Sequence, residues 1–202
     1  MHATPLWVCD VAISKSHDTT RYDGEKMRKR IERVGRKMKH ESVLEHLVYS
    51  FNIDGISRAC LQELARHRMA SLTVKSTRYT LNKIEYRPLI NEEMGDVDWA
   101  SMYEGELVKT GNEQIDCINA LQLDMIIDYL SSEKSSNDIV KYAIPEALKT
   151  SLVWTINARS LQNFFDLRSS KEALWEIRDL AHYVYEALPE EHQFLFSLHP
   201  VE

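Results

Sequence analysis

The chain has 202 residues, and its 31 acidic against 25 basic residues give a formal net charge of −6, which argues against broad, non-specific nucleic-acid binding. Three widely spaced cysteines without a CxxC motif are typical of reduced thiols in a cytoplasmic protein. No apolar run reaches membrane-spanning length, so we expect a single soluble domain over residues 1–202 that makes no contact with a membrane.

The first predicted element is an amphipathic helix over residues 23–39. Apolar side chains recur there at helical spacing behind a capping Asp23: Met27, Ile31, Val34 and Met38. Residues 46–54 then alternate polar and apolar side chains, which predicts a half-buried strand with one apolar face: Leu47, Tyr49, Phe51 and Ile53. We expect the Asp-Gly-Ile-Ser sequence at 54–57 to turn the chain.

Helical spacing returns after this turn, from about Ser57 to the basic segment 66–68. Residues 78–90 are rich in strand-forming side chains, and Pro88 predicts that this strand lies at a sheet edge.

Two helical segments are predicted next. The pattern over residues 97–130 is helical, with Gly111 dividing it into two helices. A short helix from about Asn137 ends before Pro145, because proline cannot donate a backbone hydrogen bond inside a helix.

The last predicted elements are a strand and two helices. Residues 148–156 alternate, with one apolar face: Leu148, Thr150, Leu152, Trp154 and Ile156. Helices follow over 157–168 and 169–188, the second capped by Ser170. Strands and helices interleave without a glycine-rich phosphate turn, so we expect an α+β fold with a small mixed or antiparallel sheet packed by helices.

A basic cluster lies where the helix after Ser57 ends. Residues 66–79, RHRMASLTVKSTRY, contain no carboxylate and five basic side chains: Arg66, His67, Arg68, Lys75 and Arg78. A solvated helix end is one interpretation, because the helix dipole favours cations there. The interspersed hydroxyls of Ser71, Thr73, Ser76 and Thr77 favour the other, a site for a phosphate monoester or diphosphate.

A second polar cluster follows the last strand. Arg159 and Asn163 are four residues apart on one helical face, with Arg168 further along. Singly, these residues fit a surface ion pair and a capping or core amide. Since each cluster borders a helix end next to a strand, we expect the two clusters to form two walls of one pocket.

Other candidate sites are weaker. Ser42 and Glu45 match a helix capping box, and His40 and His46 lack the spacing of zinc ligands, so no metal site is predicted. No nucleophile elbow surrounds Ser76, and Cys60 falls on the apolar side of its helix, where an inert thiol is expected.

The spacing of Arg66-His67-Arg68, seven residues, then Ser76 reproduces R-H-R-x7-S, which resembles the signature of flavin-dependent thymidylate synthases. Three blocks in order are similar to that family: residues 51–68, 76–79 and 154–170. The resemblance covers about residues 22 to 196.

The resemblance implies an α+β homotetramer with active sites between chains, holding FAD, dUMP and methylenetetrahydrofolate. NADPH would reduce FAD, and the product would be dTMP, without an enzymic cysteine nucleophile. The residues implied for FAD are Ser42, Arg66, His67, Arg68, Val74, Asn157, Arg159 and Asn163. His40 and Glu45 would lie near the flavin and folate.

The resemblance also implies the residues that bind dUMP: Glu63, Arg66, Lys75, Ser76, Thr77, Arg78, Lys141 and Arg168. Arg168 would be catalytic, with its guanidinium favouring the ionised N3 of uracil. Four positions depart from the family pattern: Thr73 stands where asparagine is frequent, Val74 where an acidic residue is frequent, Glu63 where glutamine is frequent, and Lys141 where arginine is common.

Three alternatives stay open at this point. An RNA-binding module using the basic segment 66–68 is opposed by the acidic balance of the chain. A nucleotide phosphohydrolase would require clustered carboxylates for magnesium. The third is a family member that binds FAD but does not methylate, which the presence of Ser76 and Arg168 opposes.

Overall fold

Two long strands form the middle of a four-stranded sheet. They are β2 (Val48–Ser57) and β4 (Lys149–Asn157), and the strand order is β1-β2-β4-β3 with β1 at His2–Ala3 and β3 at Ala70–Val74. A computed structural model of the chain describes residues 1–16, 24–84, 102–132 and 135–200. β1 and β2 are antiparallel, and the predicted α+β class with a small antiparallel sheet is confirmed.

The helices are short except near the middle and the end of the chain. They are α1 (Leu6–Ser16), α2 (Gly24–Ile31), α3 (Arg58–Ala65), α4 (Thr77–Thr80), α5 (Glu113–Leu130), α6 (Asn137–Val140), α7 (Ala158–Arg168), α8 (Trp175–Glu186) and α9 (Glu190–Gln193). A π-helical segment, Glu32–Lys37, continues α2, and 3-10 turns occupy Glu41–His46 and Leu81–Lys83. Within the described ranges, no helix is both long and apolar enough to cross a bilayer.

The chain divides into two compact units, which we describe separately. The first unit comprises Met1–Ile53, Glu63–Thr73 and Val153–Glu202, and the second comprises Asp54–Gln62 and Val74–Leu152. An aromatic cluster forms much of the first core: Tyr49, Phe51, Trp154, Phe164 and Phe165. Aliphatic side chains of α5 dominate the second: Ala120, Leu123, Ile126 and Ile127. The predicted single domain stays a prediction.

The alternating strands were predicted correctly. The residues predicted for the two inward faces are all buried: Leu47, Tyr49, Phe51, Ile53, Leu148, Thr150, Leu152, Trp154 and Ile156. In the first unit Ala158 N–H donates to the Leu47 carbonyl, and in the second Arg58 N–H donates to the Leu148 carbonyl. These bonds set β2 and β4 antiparallel, because one residue number rises as its partner falls.

The predicted turn at residues 54–57 is wrong, since β2 continues to Ser57. Gly55 adopts a φ of +82°, a left-handed conformation that glycine reaches without steric cost. The glycine therefore accommodates a local distortion within the strand and does not reverse the chain.

Two further predictions fail for neighbouring parts of the second unit. Residues 77–83 form α4 and a 3-10 turn in place of the predicted strand, and Pro88 lies outside the described residues. Within the segment predicted as a helix before Gly111, residues 102–110 are described and are not helical. Gly111, at φ +79°, therefore precedes α5 and does not divide two helices. Strand propensity is overridden here by local turn structure.

The predicted caps also require correction. Leu174, not Ser170, precedes α8, and the Ser170 hydroxyl instead hydrogen-bonds the Glu172 carboxylate. Met38 is exposed although it follows the predicted apolar repeat, because the π-helical turn changes the residue spacing before it. Asp23 lies outside the described residues.

Candidate functional site

A cavity of about 830 Å³ in the first unit brings the R-H-R segment of the first predicted cluster together with the second cluster. Its walls come from α7, from the segment after α3 and from the 3-10 turn before β2. The lining residues are Glu41, Glu45, Arg66, His67, Arg68, Met69, Asn157, Arg159, Ser160, Gln162, Asn163, Asp166, Leu167 and Arg168. The expectation of two walls of one pocket is therefore confirmed for Arg66, His67 and Arg68 of the first cluster and for the second cluster, whereas Lys75 and Arg78 do not line this cavity.

The start of α7 fixes one wall of the cavity. The Asn157 side chain accepts a hydrogen bond from the Ser160 backbone N–H at 2.9 Å and caps the helix. Arg159, Asn163 and Asp166 follow at intervals of four and three residues, so they lie on one helical face. The cap thereby fixes where that polar face begins.

Arg159 is held by two carboxylates of the 3-10 turn. Its Nη1 donates to Glu45 Oε1 at 2.6 Å, and its Nε lies 3.3 Å from Glu41 Oε2. The hydrogen bond with Glu45 raises the pKa of Arg159, so the guanidinium stays charged. The predicted capping box is wrong, because His40 precedes the turn and Glu45 pairs with Arg159.

Arg168 forms the most buried ion pair of the cavity. Its side chain is 13% exposed, and Nη1 donates to Glu63 Oε2 at 2.7 Å. Nη2 also donates to the Glu63 backbone carbonyl at 3.3 Å, and Nε donates to His67 Nε2 at 3.0 Å. Arg66 reaches the same Glu63 carboxylate at 3.1 Å from an exposed position. One carboxylate thus binds two guanidinium groups.

The bond from Arg168 determines which ring nitrogen of His67 carries the proton. Arginine has only donors, so Nε2 of His67 accepts and the ring proton of the neutral imidazole resides on Nδ1. Burial, followed by the charges of Arg168 and Arg66, lowers the pKa of His67 to about 4, against a smaller opposing effect of Glu63. The ring also packs edge-on against Phe164, with centroids 5.2 Å apart.

The other predicted residues lie in the second unit or at the 3-10 turn before β2. Lys75 and Thr77 line a separate cavity of about 430 Å³ in the second unit. In that unit the guanidinium of Arg78 pairs with Asp138 at 2.8 Å, and Ser76 precedes α4.

Four other predicted residues do not line either cavity. Lys141 is exposed just after α6, and Val74 is exposed at the end of β3. His40 and Ser42 are exposed on the first unit, at the 3-10 turn before β2. Within the described residues, no group of His, Cys, Asp or Glu is arranged to hold a metal ion.

Comparison with known proteins identifies the family to which the chain belongs. A family model described as thymidylate synthase complementing protein matches residues 6–192. A flavin-dependent thymidylate synthase of Wolinella succinogenes is 52% identical over 203 residues, which cover 98% of this chain and 96% of the relative. One of Campylobacter jejuni is 53% identical, covering 96% and 92%. The chain belongs to the flavin-dependent thymidylate synthase family.

A solved structure supports the same assignment. The crystal structure of thymidylate synthase X from Helicobacter pylori with FAD and dUMP matches at a TM-score of 0.86 and 44% identity, covering 97% of this chain and 94% of that chain. The predicted membership of the flavin-dependent thymidylate synthase family, and with it the prediction of an enzyme, is confirmed. The RNA-binding and phosphohydrolase alternatives are set aside.

Several residues of this family member's cavity were missed in the sequence. Asp166 was recoverable, because it continues the spacing of Arg159 and Asn163 on α7. Glu41 carries no such signal, since it reaches Arg159 from a distant turn. The bond between Arg168 and His67 joins residues 101 positions apart and is equally invisible to local patterns.

Lowering the pH is expected to destabilise this thymidylate synthase family member through His67. Histidine in an unfolded chain titrates near 6.5, whereas burial lowers the pKa of His67 to about 4. Between these values the unfolded state binds more protons, so the free energy of unfolding falls as the pH drops from about 6.5 toward 4. Burial also lowers the pKa of His192, which acts in the same direction.

Thermal unfolding at about pH 7.5 and about pH 5 measures this contribution. His67→Gln keeps an acceptor for Arg168 but does not titrate, so we expect its Tm to fall less between the two pH values than that of the wild type. His192→Gln is the control that removes the other histidine. An equal fall in Tm for His67→Gln and the wild type would contradict the assignment to His67.

Proposed function

We propose that the chain methylates dUMP to dTMP, taking the methylene carbon from methylenetetrahydrofolate and the hydride from FAD that NADPH has reduced. The observation that carries this proposal is the cavity that collects the R-H-R motif, the α7 cluster and the buried Arg168, in a chain of this family. None of the three cysteines lines the cavity, and Cys60 is fully buried, in agreement with chemistry that needs no enzymic thiol.

FAD fits the donor set of this cavity. Four guanidinium groups and three amides line one space, and such groups bind a diphosphate through charge-assisted hydrogen bonds. We assign FAD binding to six residues of the cavity, Arg66, His67, Arg68, Asn157, Arg159 and Asn163, and to Ser42 and Val74 outside it, with His40 and Glu45 near the flavin and folate. When bound, reduced FAD supplies the hydride that converts the transferred carbon to a methyl group.

The chain's own residues bind and polarise the nucleotide. We assign dUMP binding to Glu63, Arg66, Lys75, Ser76, Thr77, Arg78, Lys141 and Arg168. The catalytic residue in this proposal is Arg168, whose guanidinium stabilises negative charge on the uracil ring and so raises electron density at C5. Its burial supports this role, because a charge shielded from water interacts more strongly with a neighbouring anion.

Lys141→Ala is expected to weaken dUMP binding several-fold. Lys141 is exposed and carries a single ammonium group, which attracts a phosphate without the bidentate geometry of arginine. Lys141→Arg is the matched variant, and we expect it to restore or strengthen binding. Titration calorimetry with dUMP measures the effect, and an unchanged Kd for Lys141→Ala removes this residue from the proposed site.

We also propose that the enzyme is a cytoplasmic homotetramer. Large apolar side chains are exposed on the single chain, among them Tyr142 at 92%, Tyr79 at 74% and Met125 at 73%, which supports burial between subunits. The three free cysteines support a reducing compartment.

An anaerobic reduction experiment tests the proposed function. The protein is reconstituted with FAD, and loss of the visible flavin band is followed after NADPH addition, with and without dUMP. We expect dUMP to accelerate the loss and dTMP to form once methylenetetrahydrofolate is added. Absence of flavin binding, or reduction followed by no dTMP, would overturn the proposal.

A further inference from the structure

Three bonds fix the orientation of the Arg168 side chain. The Glu63 carboxylate receives Nη1–H at 2.7 Å, the Glu63 carbonyl receives Nη2–H at 3.3 Å, and His67 Nε2 receives Nε–H at 3.0 Å. Among the contacts of the described residues, these bonds use three of the five N–H groups of the guanidinium. One N–H on each terminal nitrogen is left for a ligand.

We infer that Glu63 is a positioning residue, which together with neutral His67 holds the Arg168 guanidinium so that its remaining N–H groups are available to the substrate. This inference rests on the proposed function and refines it, because an action of Glu63 through Arg168 replaces the direct contact with dUMP assigned to Glu63 above. The matching ligand offers hydrogen-bond acceptors and negative charge to these N–H groups, such as the ionised N3 and the O4 of uracil.

The Glu63 carboxylate also balances the charge of two guanidinium groups. Arg66 and Arg168 both donate to Glu63, so removal of the carboxylate leaves two guanidinium groups close together without a counter-charge. Arg66 is 69% exposed and loses little, since water screens it. Arg168 is 13% exposed and retains only neutral acceptors. The consequence of losing Glu63 therefore falls mainly on Arg168.

His67 supplies the second fixed point. Its ring is 8% exposed and packed against Phe164, so its Nε2 is a rigid acceptor. A neutral imidazole takes the Nε–H of Arg168 without adding charge beside it. Glu63 and His67 together restrict rotation about the end of the side chain, which neither acceptor can do alone.

The test compares Glu63→Ala and Glu63→Gln in the FAD-loaded enzyme. We expect Glu63→Ala to lower kcat for dTMP formation roughly 10- to 100-fold with little change in KM for dUMP, because a misplaced group costs mainly the chemical step. Glutamine keeps an acceptor for Nη1–H, so Glu63→Gln should recover most of kcat. Glu32→Ala, which breaks a surface ion pair with Lys37, is the control and should resemble the wild type.

A double-mutant cycle and a structure separate the possible roles of Glu63. Glu63→Ala added to Arg168→Lys should lower kcat little further, since both changes act on one guanidinium. Crystal structures should show Arg168 displaced from His67 in Glu63→Ala and retained in Glu63→Gln.

A rise in KM with unchanged kcat, additive losses, or an undisplaced Arg168 would each overturn the role of Glu63. Absence of dTMP formation by the wild type would overturn the proposed function instead.

Discussion

Arg168→Ala is expected to lower dTMP formation by at least about 100-fold while FAD stays bound. Removing a preorganised charged donor from a water-poor site removes stabilisation of the charge that develops on the uracil ring. The flavin is proposed to be held by other residues, among them Arg68, Arg159 and Asn163, which keep their positions on the segment after α3 and on α7. FAD content and dTMP yield therefore respond differently.

The measurement uses FAD absorbance for cofactor content and single-turnover dTMP formation for chemistry. Arg168→Lys is the matched variant: it keeps the charge but loses the fork and the Nε–H bond to His67, so we expect intermediate activity. Glu63 keeps Arg66 as a partner in both variants, which limits collapse of the site. Normal turnover by Arg168→Ala would remove the catalytic assignment.

The parts of the fold that were predictable are those whose burial leaves a periodic trace. β2 as far as Ile53 and β4 along its length bury every second residue, and α7 repeats polar residues at three and four, so alternation or helical spacing was enough. Gly55 illustrates the failure. A glycine after aspartate is typical of a turn, yet the same freedom of φ also permits a distortion inside a strand whose pairing continues.

The candidate site was likewise predictable only where its residues follow a local sequence pattern. The basic side chains of the R-H-R motif and the α7 face were visible locally, and their convergence was confirmed. The pairing of Arg159 with Glu41 and Glu45 was not, because residues more than a hundred positions apart meet only through the tertiary fold. The capping-box interpretation of Ser42 and Glu45 failed for this reason: the Glu45 carboxylate accepts a hydrogen bond from the distant Arg159 guanidinium and does not cap the local turn.

Trp154→Ala is expected to cost about 3–5 kcal/mol of the free energy of unfolding, the largest stability effect among the changes considered. The indole is fully buried in the first unit and contacts Phe51 and Phe164, with ring centroids 5.8 and 5.0 Å away. Alanine removes these contacts and leaves a cavity that surrounding aromatic rings cannot fill. Chemical denaturation followed by far-ultraviolet circular dichroism measures the loss.

Trp154→Phe should cost far less than Trp154→Ala. The phenylalanine ring retains much of the packing. The substitution also removes the indole N–H of Trp154, which is buried without a hydrogen-bond partner among the described residues. Val153→Ala is a neighbouring control: the side chain is 45% exposed, and we expect a change within about 0.5 kcal/mol.

The same substitution connects the core to the active site. Trp154 packs on Phe164, and Phe164 packs on His67, which holds Arg168. Trp154→Ala should therefore lower kcat at temperatures where the protein is still folded, whereas Trp154→Phe keeps the packing under Phe164 and should preserve kcat. If Trp154→Ala unfolds at lower denaturant but retains wild-type kcat, the orientation of His67 does not depend on this aromatic contact.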